Sequence, residues 1–133
     1  MTTHIIPTID NPTGRPFWDA LTLGRLTLQG CADCSYLRFP AAERCPECWA
    51  PGGLWEDIAA AGTVWSHTTY HRALHPALSE AVPYTVLLVE LDAGPTIPGR
   101  LVTGHPPEIG SCVTGVFTTV ADGFTMLEWR SVS

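Results

Sequence analysis

Hydrophobic and polar positions change rhythm twice along this chain. Residues 1–14 set Pro7, Pro12 and Gly14 among mostly polar neighbours and read as an extended arm. Pro16-Phe17-Trp18-Asp19-Ala20-Leu21 has the spacing of a short helix. Pro16 suits the first helical position, and Phe17 and Leu21 stand four apart on one face with Trp18 beside it. That face either docks on its own domain or packs on another subunit, since aromatic anchors are enriched at interfaces. Gly24-Arg25 ends the helix, and Leu26-Thr27-Leu28-Gln29 then alternates as a strand does. Tyr36 to Pro40 reads as a second short strand.

From Gly62 onward the rhythm is that of β-structure. Thr63 to Tyr70 is β-branched and aromatic, and a polar connection holding Pro76 follows from Arg72 to Val82. Tyr84 to Leu91 is the strongest strand signal, apolar on both faces and expected to be buried. Thr96 to Thr103 returns after a turn at Asp92-Ala93-Gly94-Pro95, and its Pro98-Gly99 suggests a bulge or an edge. Ser111 to Val120 and Phe124 to Arg130 flank a tight hairpin at Asp122-Gly123. Five strands at these intervals fit a small closed barrel, with the OB-fold as the five-stranded candidate. The expected organisation is mainly β: an arm and short helix over residues 1–24, a rubredoxin-like zinc ribbon over 25–58 and an OB-fold barrel over 59–133.

The ribbon is expected because of four cysteines. Cys31-Ala-Asp-Cys34 and Cys45-Pro-Glu-Cys48 are two Cys-x-x-Cys hooks separated by ten residues. Such hooks converge four thiolates on one metal, and a tetrahedral sulfur set suits Zn(II). Disulfides within or across the hooks are the duller alternative, and iron would need nothing more from the sequence. Four thiolates fill a tetrahedral metal and leave no open position, so the site is structural. The fifth cysteine, Cys112, has no base in its predicted strand and is expected to be a buried core thiol.

Composition narrows the function. The chain has 133 residues, 45% hydrophobic and 15% charged, with a net charge of −6. An acidic chain lacks the clustered cations that nucleic-acid binding uses, which weighs against a stand-alone OB-fold module of that type. Every basic residue is arginine, so lysine chemistry is excluded. The start lacks the pattern of a signal peptide and no apolar run approaches a membrane span, so a cytoplasmic, reducing setting with no membrane partner is expected. His67, His71 and His75 fall four apart, but on a strand only alternate residues share a face, which weakens a second metal site. His71 is the side-chain type suited to proton transfer near neutral pH, and Tyr70 could donate to a carbonyl. No nucleophile elbow, glycine-rich phosphate loop or Ser/His/Asp set is present, so no catalytic residue is assigned.

The order of these parts carries a resemblance. The Phe17-Trp18 helix is followed by Gly24-Arg25-Leu26, the Cys31 and Cys45-Pro46 hooks, and Gly62-Thr63-Val64. Pro83-Tyr84, Val89-Glu90-Leu91-Asp92, Gly94 and Ile109-Gly110 come after these. From residue 16 on, this resembles the acyl-CoA-associated zinc-ribbon/OB-fold family, the small partner subunits of sterol-carrier-protein-type thiolases and aldolases and of hotdog enoyl-CoA hydratases. The resemblance implies a non-catalytic small subunit in an α2β2 complex with a thiolase-fold large subunit. The complex would be a carbon–carbon lyase performing retro-aldol cleavage on a steroid-like acyl-CoA. A hydratase, or a thiolase or acyltransferase, is the alternative partner. Structural zinc is expected at Cys31, Cys34, Cys45 and Cys48; because arginine presents a fork of donors suited to phosphates, Arg72 and Arg100, with His71 and Tyr70, are the candidates for coenzyme A or substrate contact, and Phe17, Trp18 and Leu21 are the candidates for a partner interface.

Overall fold

The structure, a computed structural model, describes His4, residues 11–102 and residues 104–132. Most of the arm expected over residues 1–14 lies outside the described residues. Helix α1 spans Arg15–Thr22 with Pro16 in its first turn. Its end is closed by a left-handed glycine: Gly24, at φ +75°, donates to the Leu21 carbonyl, and Arg25 donates to that of Ala20. This pair of bonds satisfies carbonyls the helix would otherwise leave open.

Two antiparallel sheets follow. The first has the order β2-β1-β3, with β1 at Leu26–Gly30, β2 at Leu37–Arg38 and β3 at Leu54–Ile58. Strand β3 pairs along the whole of β1, from Leu26 opposite Ile58 to Gly30 opposite Leu54. It was not foreseen, because Glu56 and Asp57 interrupt the apolar pattern and only its pairing with β1 makes it a strand. The second sheet has the order β6-β5-β4-β7-β8. Its strands are β4 at Ala61–Tyr70, β5 at Tyr84–Leu91, β6 at Thr96–Arg100, β7 at Cys112–Ala121 and β8 at Phe124–Ser131. A one-turn helix at Pro76–Leu78 sits between β4 and β5, with the His75 ring capping it. A parallel bridge from Leu101 to Trp129, with Val102 donating to the Trp129 carbonyl at 2.8 Å, joins the end of β6 to β8. Three antiparallel strands, a return hairpin and this parallel seam form a closed five-stranded OB-type barrel.

Two glycines permit the closure. A Cβ on Gly62, where β4 is flanked by both β5 and β7, would lie 2.2 Å from the Glu90 carbonyl oxygen. A Cβ on Gly99 would lie 2.5 Å from Nε1 of Trp129, the fully buried ring at the seam. Pro98 keeps its register opposite Leu88, so β6 carries no bulge; it is an end strand of the ladder, the edge position that Pro98-Gly99 suggested, and the bulge falls in β4 at Trp65.

One buried cluster runs through helix, ribbon and barrel. Phe17 and Leu21 pack with Leu26 and Leu28 of β1 and with Val64, Leu87, Val89, Ile97, Leu127 and Trp129 of the barrel. Two expectations need correction. Strand β5 is not buried on both faces: Thr85, Leu87, Val89 and Leu91 point inward while Glu90 is exposed, because a small barrel has only one dry side. Cys112 is exposed, not a core thiol; it is the first residue of β7, and the alternation sends Val113 into the core.

Candidate metal centre and aromatic face

The two hooks fold into matching turns. In the first, the Cys31 N–H donates to the Tyr36 carbonyl and the Ser35 N–H donates back to the Cys31 carbonyl; in the second, Cys45 pairs in the same way with Ala50 and Trp49. Ser35 and Trp49 both take φ +65°, the left-handed conformation that turns the chain back on itself. The Arg44 guanidinium lies 5.7 Å from the centre of the Trp49 ring and also donates to the Trp49 carbonyl.

The turns bring four sulfurs together. All four Sγ atoms lie within 4.8 Å of one another, with Cys31 to Cys48 at 3.5 Å and Cys34 to Cys45 at 3.6 Å. Four sulfurs about 2.3 Å from a tetrahedral Zn(II) stand about 3.8 Å apart, so the donor set fits that ion. Disulfide sulfurs sit at about 2.0 Å, so these are thiols placed for a metal. Among the described residues they form the one cluster of this kind.

Electrostatics separates the sulfurs. The backbone N–H groups of Cys34 and Asp33 point at Cys31 Sγ and hold its thiol down at about 6. For Cys34, the pull of the Tyr36 N–H is outweighed by desolvation and the neighbouring thiols, which push it up to about 12. One sulfur ionises readily and its neighbour resists a second negative charge. A divalent cation removes that repulsion, as metal–thiolate sites require.

Arg38 braces the site from β2. Its guanidinium is buried and donates to the carbonyls of Ala42 and Gly52, and Gln29 accepts from the Ala42 N–H. The segment carrying the second hook is thereby tied to β1 and β2. Sequence reasoning missed this residue, since a lone arginine among apolar neighbours looks like a surface group.

The remaining candidates divide. Tyr70 and Tyr84, opposite one another in β4 and β5, stack with ring centres 5.1 Å apart and planes at 14°. The Arg100 guanidinium of β6 lies 4.5 Å above the Tyr84 ring. Tyr70, Tyr84 and Arg100 thus form a three-tiered stack across adjacent strands, with a Thr69–Thr85 hydroxyl bond beside it. His71 and Arg72 follow in the exposed connection beyond β4. Phe17 and Leu21 are buried in their own chain's core, and Trp18 packs against Phe124 at 5.1 Å. On α1 the exposed positions are Arg15, Asp19 and Thr22.

Comparison with known proteins matches both parts. Residues 18–52 fit the family model described as "ChsH2, rubredoxin-like zinc ribbon domain", and residues 55–118 fit "ChsH2, C-terminal OB-fold domain". A probable enoyl-CoA hydratase alpha subunit of Thermomonospora curvata is 40% identical over 96 residues, 70% of this chain but 29% of that protein's length. A DUF35 domain-containing scaffold protein of Methanocaldococcus jannaschii is 30% identical over 69% of this chain and 67% of its own. Among solved structures, a chain of the Ltp2-ChsH2(DUF35) aldolase superposes with a TM-score of 0.84 at 32% identity, covering 94% of this chain and 98% of that one. A DUF35 protein from Sulfolobus solfataricus shares the fold at a TM-score of 0.65 and 16% identity.

Proposed function

The chain belongs to the DUF35 family, and on that premise we propose that it is the non-catalytic small subunit of an acyl-CoA-processing complex. Its partner is a thiolase-fold large subunit that carries the chemistry, a retro-aldol carbon–carbon cleavage of a steroid-like acyl-CoA. The observation that carries this reading is the near-complete superposition on a chain of an aldolase assembly. The chemistry of the chain agrees with it. Its metal-binding cysteines fill all four positions of a tetrahedral ion, so the metal holds structure and offers no place for substrate. An α2β2 assembly follows from the commonness of dimeric cores. A cytoplasmic setting suits free thiolates, and among the described residues no helix is long and apolar enough to cross a membrane. We assign acyl-CoA contact to Arg100 and Tyr70 in the stack and to Arg72 and His71 beyond it. Trp18 and the α1 surface contact the partner.

A second reading, a hotdog-fold enoyl-CoA hydratase as the partner, is favoured by the identity to the hydratase alpha subunit. The test is affinity purification of the tagged full chain from native extract, with co-purifying proteins identified by mass. A thiolase-fold protein, with retro-aldol activity only in the assembled complex, is the expected result. A hydratase moves the assignment to the second reading. Turnover of an acyl-CoA by the isolated chain overturns both.

A further inference from the structure

Strand β3 closes one side of the ribbon sheet and leaves its own outer edge unpaired. It bonds β1 along its whole length in unbroken register, and among the described residues no second strand meets its other side. Such an edge presents a row of backbone N–H and C=O groups ready to pair. Lysine, proline or a bulge commonly guards an edge of this kind, and β3 has none of them. Its charges are acidic instead: Glu56 and Asp57 stand exposed within the strand, after a Leu54 that is 63% exposed.

Crevices flank the strand on both faces. Alternation puts Trp55 and Asp57 on one face and Leu54 and Glu56 on the other. Trp55, with Pro16, Ala20 and Leu23 from the helix and its end, walls a crevice of about 510 Å3. Leu54 and Glu56, with Gly30 and Cys31, wall one of about 310 Å3. A segment that adds to a sheet edge gains affinity from main-chain bonds and specificity from pockets that receive its alternate side chains. Strand β3 offers both.

Charge selects the occupant. Asp57 is engaged by Arg25 and Thr27, and Asp19, on the larger crevice, by Arg15. The Glu56 carboxylate has no cation and no hydrogen-bond donor among the described residues. It lies over Gly30, where a Cβ would stand 2.9 Å from its Oε2. A second copy of the chain, pairing antiparallel over the whole strand, would set Glu56 opposite Glu56, and like charges directly opposite one another are destabilising. The net charge of −6 on each copy adds to that repulsion. A basic segment meets neither obstacle.

We propose that β3 is the docking edge for an extended basic segment of the large subunit. The segment joins the three-stranded ribbon sheet as a further strand, with an arginine or lysine on Glu56 and the adjoining apolar residue in the crevice beside α1. The inference rests on the function proposed above for the identity of the partner; the edge, the two crevices and the unpaired carboxylate are properties of this chain.

The test compares amide hydrogen exchange, read by mass spectrometry, in the metal-loaded full chain alone and in the complex captured with its large subunit. Exchange across residues 54–58 should slow by about tenfold or more in the complex, while the buried strand β5 stays unchanged. Glu56→Arg should weaken the complex about tenfold and Glu56→Gln by less, with metal content and circular dichroism at wild-type values. If Glu56→Arg does not fold, the isosteric Glu56→Gln and the wild-type exchange decide. A captured large subunit with β3 exchanging as in the chain alone, or wild-type affinity in the Glu56 variants, overturns this inference and leaves the subunit assignment standing. Failure to capture any large subunit overturns both. Protection of β3 in the chain alone that rises with its concentration identifies a second copy as the occupant and overturns the choice of partner.

Discussion

The ribbon and the barrel solve the same problem, ordering a short β-chain, with different forces. In the ribbon, β2 is two residues long, and Cys34 and Cys48 are exposed beside the buried Cys31 and Cys45. So little apolar area cannot offset the entropy of ordering two long turns, and four sulfurs around a metal supply the difference. In the barrel, Leu87, Val89, Ile97, Val113 and Trp129 are each no more than 1% exposed, and hydrogen bonds run almost around the sheet. Its stability is spread over many contacts, whereas the ribbon's is concentrated at one point. The comparison predicts that loss of a metal ligand is all-or-none for the ribbon, whereas loss of a core side chain from the barrel is graded.

Removing a sulfur has the largest expected effect. Cys45→Ser takes away a fully buried ligand and should abolish metal retention and soluble yield. Elemental analysis beside circular dichroism checks this, and a folded Cys45→Ser protein with unchanged metal content would refute the ligand set. Next comes Leu87→Ala, which empties a fully buried barrel position and should cost about 2–5 kcal/mol in urea unfolding. Its metal content should stay at the wild-type level; loss of metal in this variant would mean that ribbon and barrel are not energetically separable. Arg44→Ala removes an exposed cation–π contact at the second turn and should cost about 0.5–1 kcal/mol, read as a small shift in thermal midpoint.

The smallest effect is a pH dependence at the ribbon's outer edge. The Thr27 hydroxyl and the Arg25 guanidinium both bond the Asp57 carboxylate and hold its pKa below the ordinary 3.8. A lowered carboxyl contributes stability that is present above its unfolded value and lost as pH falls through the folded one. The difference between wild type and Asp57→Asn should therefore be full near neutrality and vanish in acid below that window. Asp57 is exposed, so the difference is expected to be slight; a difference that grows on acidification would reverse the sign of this assignment.

What could be read along the chain was whatever depends on local spacing. The Cys-x-x-Cys hooks, Pro16 at the helix start, Gly24 at its end and Asp122-Gly123 at the hairpin each act over a few residues, where bond geometry and turn chemistry suffice. The barrel strands were legible for the same reason, as alternating or β-branched runs between turn formers. Strand β3 was not, because Leu54–Ile58 becomes a strand only opposite β1. Nor was the place of Cys112, since which face of β7 is dry depends on what packs there. The stack of Tyr70, Tyr84 and Arg100 needs three strands in one register, and the buried role of Arg38 needs two carbonyls from distant turns. Contacts of that kind are decided by long-range pairing, which a residue's neighbours in sequence do not encode.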